Sequence, residues 1–325
     1  MTYSKEILTR AREQLERQKA AHESRQLARE QEIYAKLPRV REIDVLLRSS
    51  MAKAVQAAFA KGTDAQDALA EMKEQNLALQ AERKALVAAH FSAEYLDDGP
   101  LCPHCGGAGY IGTQMCSCLQ VLCREELKKT ISLFAAGDHS FADFKLDYYP
   151  DAWDPKYGAS PREIMRRIYN VCVKYATEFT LGSGNLLFNG GTGLGKTFLS
   201  ACIARQVAEK GYGVAYESAP RLFAKLEKDH FRPDEDSAYA VAELYDTTLL
   251  IIDDLGTELT GAFTVSALYA LVNDRLLNGK PTIISTNLNI NEIRQRYSPQ
   301  IASRLEGSYQ LLPFVGQDIR VLKNK

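Results

Sequence analysis

The sequence predicts an α/β domain with a parallel sheet and helices on both faces, preceded by an all-helical arm and a small cysteine module. Three observations carry this expectation. Residues 1–97 are dominated by Glu, Gln, Lys, Arg, Ala and Leu, good helix formers, and contain one Gly and one Pro. Five of the seven cysteines fall between Cys102 and Cys123. From about residue 161, helical patterns alternate with short apolar runs, as in strand–helix units that bury both faces of a sheet.

The 325 residues suffice for about two domains. With 46% hydrophobic and 25% charged residues, collagen-like and wholly disordered classes are excluded. A formal charge of −1 advertises neither nucleic acid nor membrane, so any such contact must come from a local patch. No apolar run approaches the roughly 20 residues of a membrane span, and the charged start lacks a signal-peptide pattern. A cytoplasmic protein with no membrane partner is expected.

In chain order, Ser4 caps a first helix that should stop near Leu37, because Pro38 removes a donor and restricts its predecessor. Val40, Ile43, Leu47, Met51, Val55 and Phe59 share one face of a second helix, which Gly62 ends. Thr63 and Gln66 form a capping-box pattern for a third. Its seam holds Leu69, Met72, Leu79 and Leu86, interrupted by Asn76 and Arg83, which argues for a helical hairpin or small bundle over a long coiled coil. The same composition would also serve a plain solvated arm. We divide the chain into a helical partner-binding region (1–97), a metal module (98–125), a linker (126–160) and the α/β domain (161–325). Strands are expected at 185–189, 213–217, 248–253, 281–286 and 309–314.

Gly190, Gly191, Thr192, Gly193, Leu194 and Gly195 lead into Lys196 and Thr197, matching G-x-x-x-x-G-K-[ST] at every fixed position. The motif follows a strand and opens a helix. Its glycines let successive amides curl around a phosphate, and the helix N-terminus adds partial positive charge. Lys196 reaches the β/γ oxygens of ATP, and Thr197 offers a hydroxyl to Mg2+. A second apolar strand ends in Asp253 and Asp254: Asp253 is placed to hold the Mg2+ shell, Asp254 to act as general base on water. Asn287, at the end of the next strand, can orient that water; read alone, it fits a strand-end turn equally well.

The order of these motifs, with Leu249-Leu-Ile-Ile-Asp-Asp-Leu-Gly256, Pro281-Thr-Ile-Ile-Ser-Thr-Asn287 and Ile301-Ala-Ser-Arg-Leu305, resembles an AAA+ ATPase. It is most similar to the bacterial replicative helicase loaders of the DnaC/DnaI type, close to the IstB-type transposase helpers. The resemblance implies that Asp253 and Asp254 are the Walker B pair, Asn287 is sensor 1 and Arg304 is an arginine finger for ATP on the neighbouring subunit. Arg320 matches sensor 2. Arg304 also reads as a helix-surface arginine paired with Glu306. The second Walker B acid is Asp where many relatives have Glu, which suits slow, switch-like hydrolysis. The short stretch after Phe314 leaves no room for the usual helical lid.

Cys102-x2-Cys105 and Cys116-x-Cys118 can close a tetrahedral zinc shell with no open position, hence a structural one. Cys123 and His104 are substitutes whose spacing fits worse. The form Cys102-Pro-His-Cys-Gly-Gly-Ala-Gly-Tyr110 resembles the zinc module of helicase loaders, whose N-terminal region docks onto the hexameric replicative helicase.

Such loaders contact single-stranded DNA between the phosphate-loop helix and the Walker B strand. There this chain has Arg221, Phe223, Lys225 and Lys228, basic residues with an aromatic, suited to backbone tracking and base stacking. An ordinary amphipathic helix fits the stretch as well. Tyr148 and Tyr149 lie where they could cover an adenine base. The resemblance implies a loader self-associating into a spiral or ring on DNA. The rival readings are a transposase helper on duplex target DNA and an inactive nucleotide-binding scaffold, against which the complete catalytic set speaks.

Overall fold

The computed structural model describes residues 3, 5–59, 63–92, 95, 99–134 and 140–323. Ser4 and Gly62 lie outside the described residues, as do the side chains of Met51, Val55, Phe59, Thr63, Gln66 and Leu69. The chain divides into two compact units, one of Met1–Ala11 with Gln120–Lys325, the other of Arg12–Leu119.

Three long helices open the chain: α1 (Lys5–Lys36), α2 (Pro38–Phe59) and α3 (Thr63–Ala88). Pro38 breaks the first and starts the second, where its missing N–H costs nothing. Val40 and Ile43 are buried on the expected face of α2, and Val40 packs with Ile33 and Val87. The two polar seam positions of α3 find partners on α2. Arg83 pairs with Asp44 at 2.7 Å, and Asn76 accepts from Ser50 at 2.7 Å. A polar pair at each interruption favours the hairpin over a self-associating coil. A two-residue hairpin pair, β1 (Tyr110–Ile111) and β2 (Gln114–Met115), follows, then α4 (Ser117–Phe134).

In the other unit, α5 (Pro161–Glu178), β3 (Asn185–Asn189), α6 (Lys196–Glu209) and β4 (Val214–Ser218) lead to α7 (Ala219–Phe231), α8 (Glu235–Asp246) and β5 (Leu249–Leu255). Then come α9 (Ala262–Leu277), β6 (Thr282–Thr286), α10 (Ile290–Arg296), α11 (Pro299–Ser308), β7 (Tyr309–Pro313) and the short α12 (Ile319–Lys323). The five strands are all parallel, in the order β4-β5-β6-β3-β7. Leu187, Leu250, Ile252 and Ile284 pack with Leu222, Leu268, Leu271 and Ile301 in one core cluster. Leu186, Phe188, Ile251 and Ile283 alternate with them and are equally buried, so both faces are covered. Each such side chain contributes about 1.5–3 kcal/mol of burial. Among the described residues, β7 is followed by one five-residue helix and no helical lid.

The strand order sets the site. The phosphate-loop strand β3 lies beside β6, and β6 lies beside the acidic strand β5, so the carboxyl ends of all three meet at one edge. The acidic strand runs past the expected end at Asp253 to Leu255 through an irregular register. The first residues of α1 join this unit because Tyr3, Ile7 and Ala11 are buried, Lys5 pairs with Asp236, and the Tyr239 hydroxyl donates to the Tyr3 carbonyl.

Candidate functional site

The loop from Gly190 to Gly195 leaves β3 and turns into α6. Two of its glycines are required by close approach. A Cβ on Gly190 would sit 2.4 Å from the Phe314 carbonyl oxygen. At Gly193 the backbone is left-handed (φ +71°), and a Cβ would meet the Asp318 carboxylate at 1.8 Å. The chain after β7 thus packs directly on the loop, and the Ile319 N–H donates to the Gly193 carbonyl at 3.0 Å. From the other side, the fully buried Tyr149 donates its hydroxyl to the Leu194 carbonyl at 2.9 Å. That contact corrects one expectation: Tyr149 braces the loop from within and is not available to cover a base.

Lys196 is 5% exposed. Its Nζ donates to the carbonyls of Gly190 (2.7 Å) and Gly191 (2.6 Å). Burial pushes its pKa down, while the nearby charges of Asp254 and Asp253 push it back up. A buried ammonium held only by its own loop's carbonyls is a donor that an anion completes. Asp253 is buried and accepts a hydrogen bond from Ser285, with the Thr197 and Tyr216 hydroxyls also favouring its charged form; its pKa is raised, chiefly by burial and secondarily by Asp254. A hydroxyl and a carboxylate in mutual contact beside the phosphate loop fit a Mg2+ shell. Asp254 is exposed, with a left-handed backbone at φ +56°. Asp tolerates that conformation better than most residues do.

Asn287 follows β6, exposed, with its Oδ1 3.4 Å from where a Cβ on Gly256 would be. It therefore stands beside the turn that follows the acids. Arg320 is exposed near the loop: its charge acts on Lys196, and its N–H donates to Asp318 Oδ1 at 2.9 Å. The structure thus gathers Lys196, Thr197, Asp253, Asp254, Asn287 and Arg320 at one edge of the sheet.

Arg304 stands elsewhere. Its guanidinium lies 4.4 Å over the Tyr269 ring, with Nε donating to Asn273 at 2.8 Å and a terminal nitrogen to the Tyr269 hydroxyl at 2.6 Å. The alternative pairing with Glu306 is not formed, because Arg294 takes that carboxylate at 2.9 Å.

Of the candidate DNA residues, Phe223 is 4% exposed and belongs to the core cluster, so it cannot stack on bases. Arg221 and Lys225 both face Glu217, and Lys228 pairs with Asp234 at 2.9 Å. The exposed aromatic on this helix is Phe231, 67% accessible, in a cluster with His230 and Phe263 at centroid distances of 4.7–5.5 Å. Helical phase could have found it: Ala219, Leu222, Phe223 and Leu226 form the apolar stripe, and Phe231 falls past its end.

In the helical unit, the sulfurs of Cys102, Cys105, Cys116 and Cys118 all lie within 4.8 Å of one another. A tetrahedral zinc with bonds of about 2.3 Å separates its sulfurs by about 3.8 Å. The Cys102–Cys116 and Cys105–Cys118 distances of 3.8 and 3.5 Å match that shell. Burial opposes ionisation of Cys105, yet the Gly109 N–H at 3.3 Å and the Cys118 thiol bring it down to about 6. The donor set is closed, so it suits a structural ion. His104 and Cys123 are not part of the cluster.

Residues 168–303 match the family model described as IstB-like ATP binding protein. Over that stretch the chain is similar to IstB-like ATP-binding proteins. Its glycine loop follows β3 and its paired acids lie at the end of β5 in a five-stranded parallel sheet, the arrangement of a P-loop nucleotide-binding domain. An ATP-binding protein of an insertion sequence in Mycobacterium tuberculosis is 28% identical over 103 residues, 32% of this chain and 40% of that protein. The replicative helicase loader DnaC of Escherichia coli K12 is 25% identical over 133 residues, 41% of this chain and 54% of that protein. The match thus spans about half the length of these curated relatives or less. The crystal structure of the DnaC helicase loader aligns at 20% identity and a TM-score of 0.44, over 54% of this chain and 98% of that one. No helix among the described residues is long and apolar enough to cross a membrane.

Proposed function

We propose that this chain is an ATPase that loads a hexameric replicative helicase onto single-stranded DNA, with ATP binding and hydrolysis switching its hold on both. The observation that carries the ATPase reading is the meeting of Lys196 and Thr197 with Asp253 and Asp254 at the carboxyl ends of β3 and β5, the two strands that flank β6. The loader reading is supported by the match to DnaC and by a cysteine centre and helical hairpin in the same chain as the ATP-binding domain.

The amides of Gly190–Gly195 cradle the β-phosphate, and Lys196 exchanges its loop carbonyls for the β/γ oxygens. Thr197 and Asp253 hold Mg2+, which when bound neutralises charge on the phosphate oxygens. Asp254 takes the proton of the attacking water while Asn287 orients that water. Arg304, drawn from its seat on Tyr269, serves the γ-phosphate held by a neighbouring copy in a spiral or ring, a role worth about 10³–10⁵ in rate. Arg320 adds charge at the loop. On α7 the exposed faces of Arg221, Lys225 and Lys228 track the DNA backbone, and Phe231 takes the stacking role expected of Phe223. Zinc on the four cysteines fixes the module that, with the helical arm, docks on the helicase.

The second reading, a transposase helper on duplex target DNA, is favoured by the IstB-like model match. A reconstitution separates the two. On single-stranded circles coated with binding protein, the chain plus ATP should let the helicase of the same organism begin unwinding. If unwinding is unaffected and the chain instead stimulates a transposase on duplex DNA, the loader reading fails.

A further inference from the structure

The acidic strand holds a bulge. Ile252 pairs with Ile284 and Leu255 with Thr286, so Asp253 and Asp254 together face the single residue Ser285. Two residues against one leave the extra residue's backbone without a ladder partner. Here a side chain replaces that partner. Ser285 Oγ accepts the Asp254 N–H at 2.9 Å, and the same hydroxyl donates its one proton to Asp253 Oδ1. Ser285 is 0% exposed, so no bulk water competes for either bond. One residue on, the Thr286 hydroxyl donates to the Leu255 carbonyl at 2.6 Å and accepts the Leu288 N–H at 3.0 Å. The bulge is therefore stitched on both sides by hydroxyls of β6, the strand that Asn287 follows.

We propose that Ser285 is the positioning residue of this nucleotide site: its single hydroxyl fixes the Asp253 carboxylate toward the metal and locks Asp254 in the left-handed turn that presents its carboxylate. This rests on the reading of the site as a Mg2+–ATP centre. Without the bond Asp253 would keep only the nearby hydroxyls of Thr197 and Tyr216, and the Asp254 N–H would lose its partner on β6. Groups that orient a metal-ligating carboxylate typically matter by about 10–100-fold in metal affinity.

The test compares Ser285→Ala, Ser285→Thr and Ser285→Val in the full chain. Thr and Val are nearly isosteric and differ in the hydroxyl, so their difference isolates the bond from the packing. Binding of a fluorescent ATP analogue is titrated with Mg2+ and repeated in EDTA, with turnover measured alongside. Ser285→Thr should behave like the wild type. Ser285→Ala and Ser285→Val should need about 10–100-fold more Mg2+ for the same binding, with nucleotide affinity in EDTA unchanged and kcat lowered more than KM. If the added methyl prevents folding of both larger variants, Ser285→Ala decides alone. An unchanged Mg2+ requirement, or an equal loss of affinity in EDTA, overturns the proposal and leaves the nucleotide reading standing. A wild-type chain that binds no nucleotide under either condition overturns both.

Discussion

Replacing Gly193 by Ala tests whether the phosphate loop owes its shape to the chain that follows β7. The new Cβ would lie 1.8 Å from Asp318 Oδ1, on a backbone at φ +71°. The left-handed conformation costs an L-residue about 1–2 kcal/mol. Relief of the clash requires the Asp318 carboxylate to rotate away, which gives up its bond to the Arg320 N–H and costs about 1 kcal/mol more. We expect Gly193→Ala to lose about 2–3 kcal/mol in urea unfolding. In the background of Asp318→Ala, the same substitution should cost only the backbone portion, so the double-mutant cycle should show about 1 kcal/mol of coupling. Equal costs in the two backgrounds, or a neutral Gly193→Ala, would refute the packing argument.

Three further outcomes follow from other parts of the fold. Arg275 is 0% exposed and donates to the carbonyls of Leu244, Thr247 and Pro281 at 2.7–3.0 Å, tying the end of α8 to the starts of β5 and β6; Arg275→Met should cost about 3 kcal/mol in urea unfolding, with the unpaired carbonyls outweighing the relief of a buried charge. Burial pushes Glu243 up to about 7, opposed by Lys225 and helped by Glu217 and Glu6. A carboxyl whose folded pKa exceeds its unfolded value of about 4.3 stabilises fully below that value and loses the contribution as pH rises through 7, up to about 4 kcal/mol in all. Urea midpoints at pH 5 and 8 should therefore differ more for wild type than for Glu243→Gln, and parallel behaviour would count against the burial argument. Arg304→Ala should bind ATP normally and hydrolyse it about 10³-fold more slowly. Mixing it with Lys196→Ala chains should restore turnover, because each supplies what the other lacks; failure of the mixture to recover would remove the shared-site role.

Much of the fold was legible because strand and helix periods are written in single residues. The run Asn185–Asn189 is a strand with the bounds the sequence suggests, and Pro38 separates two helices as its chemistry requires. The features that escaped depend on contacts between distant segments. The bulge at Asp253 and Asp254 needs Ser285 on another strand, so nothing in the local pattern extends β5 to Leu255. Tyr149 looked free in an aromatic stretch, yet its hydroxyl has a partner 45 positions later. Phe223 was legible in principle: its helical phase places it with Leu222 and Leu226 on the apolar stripe, apart from its basic neighbours. The seat of Arg304 on Tyr269 and Asn273 joins two helices whose contact no spacing announces.

Equilibrium titration of Mg2+–ATP onto the wild-type chain and Lys196→Ala, with metal content measured on both, bears most directly on the ATP centre. The wild type should bind nucleotide, while Lys196→Ala loses binding by about 100-fold or more and both retain about one zinc per chain. Equal nucleotide affinity in the two proteins would contradict the assignment of the phosphate loop and everything built upon it.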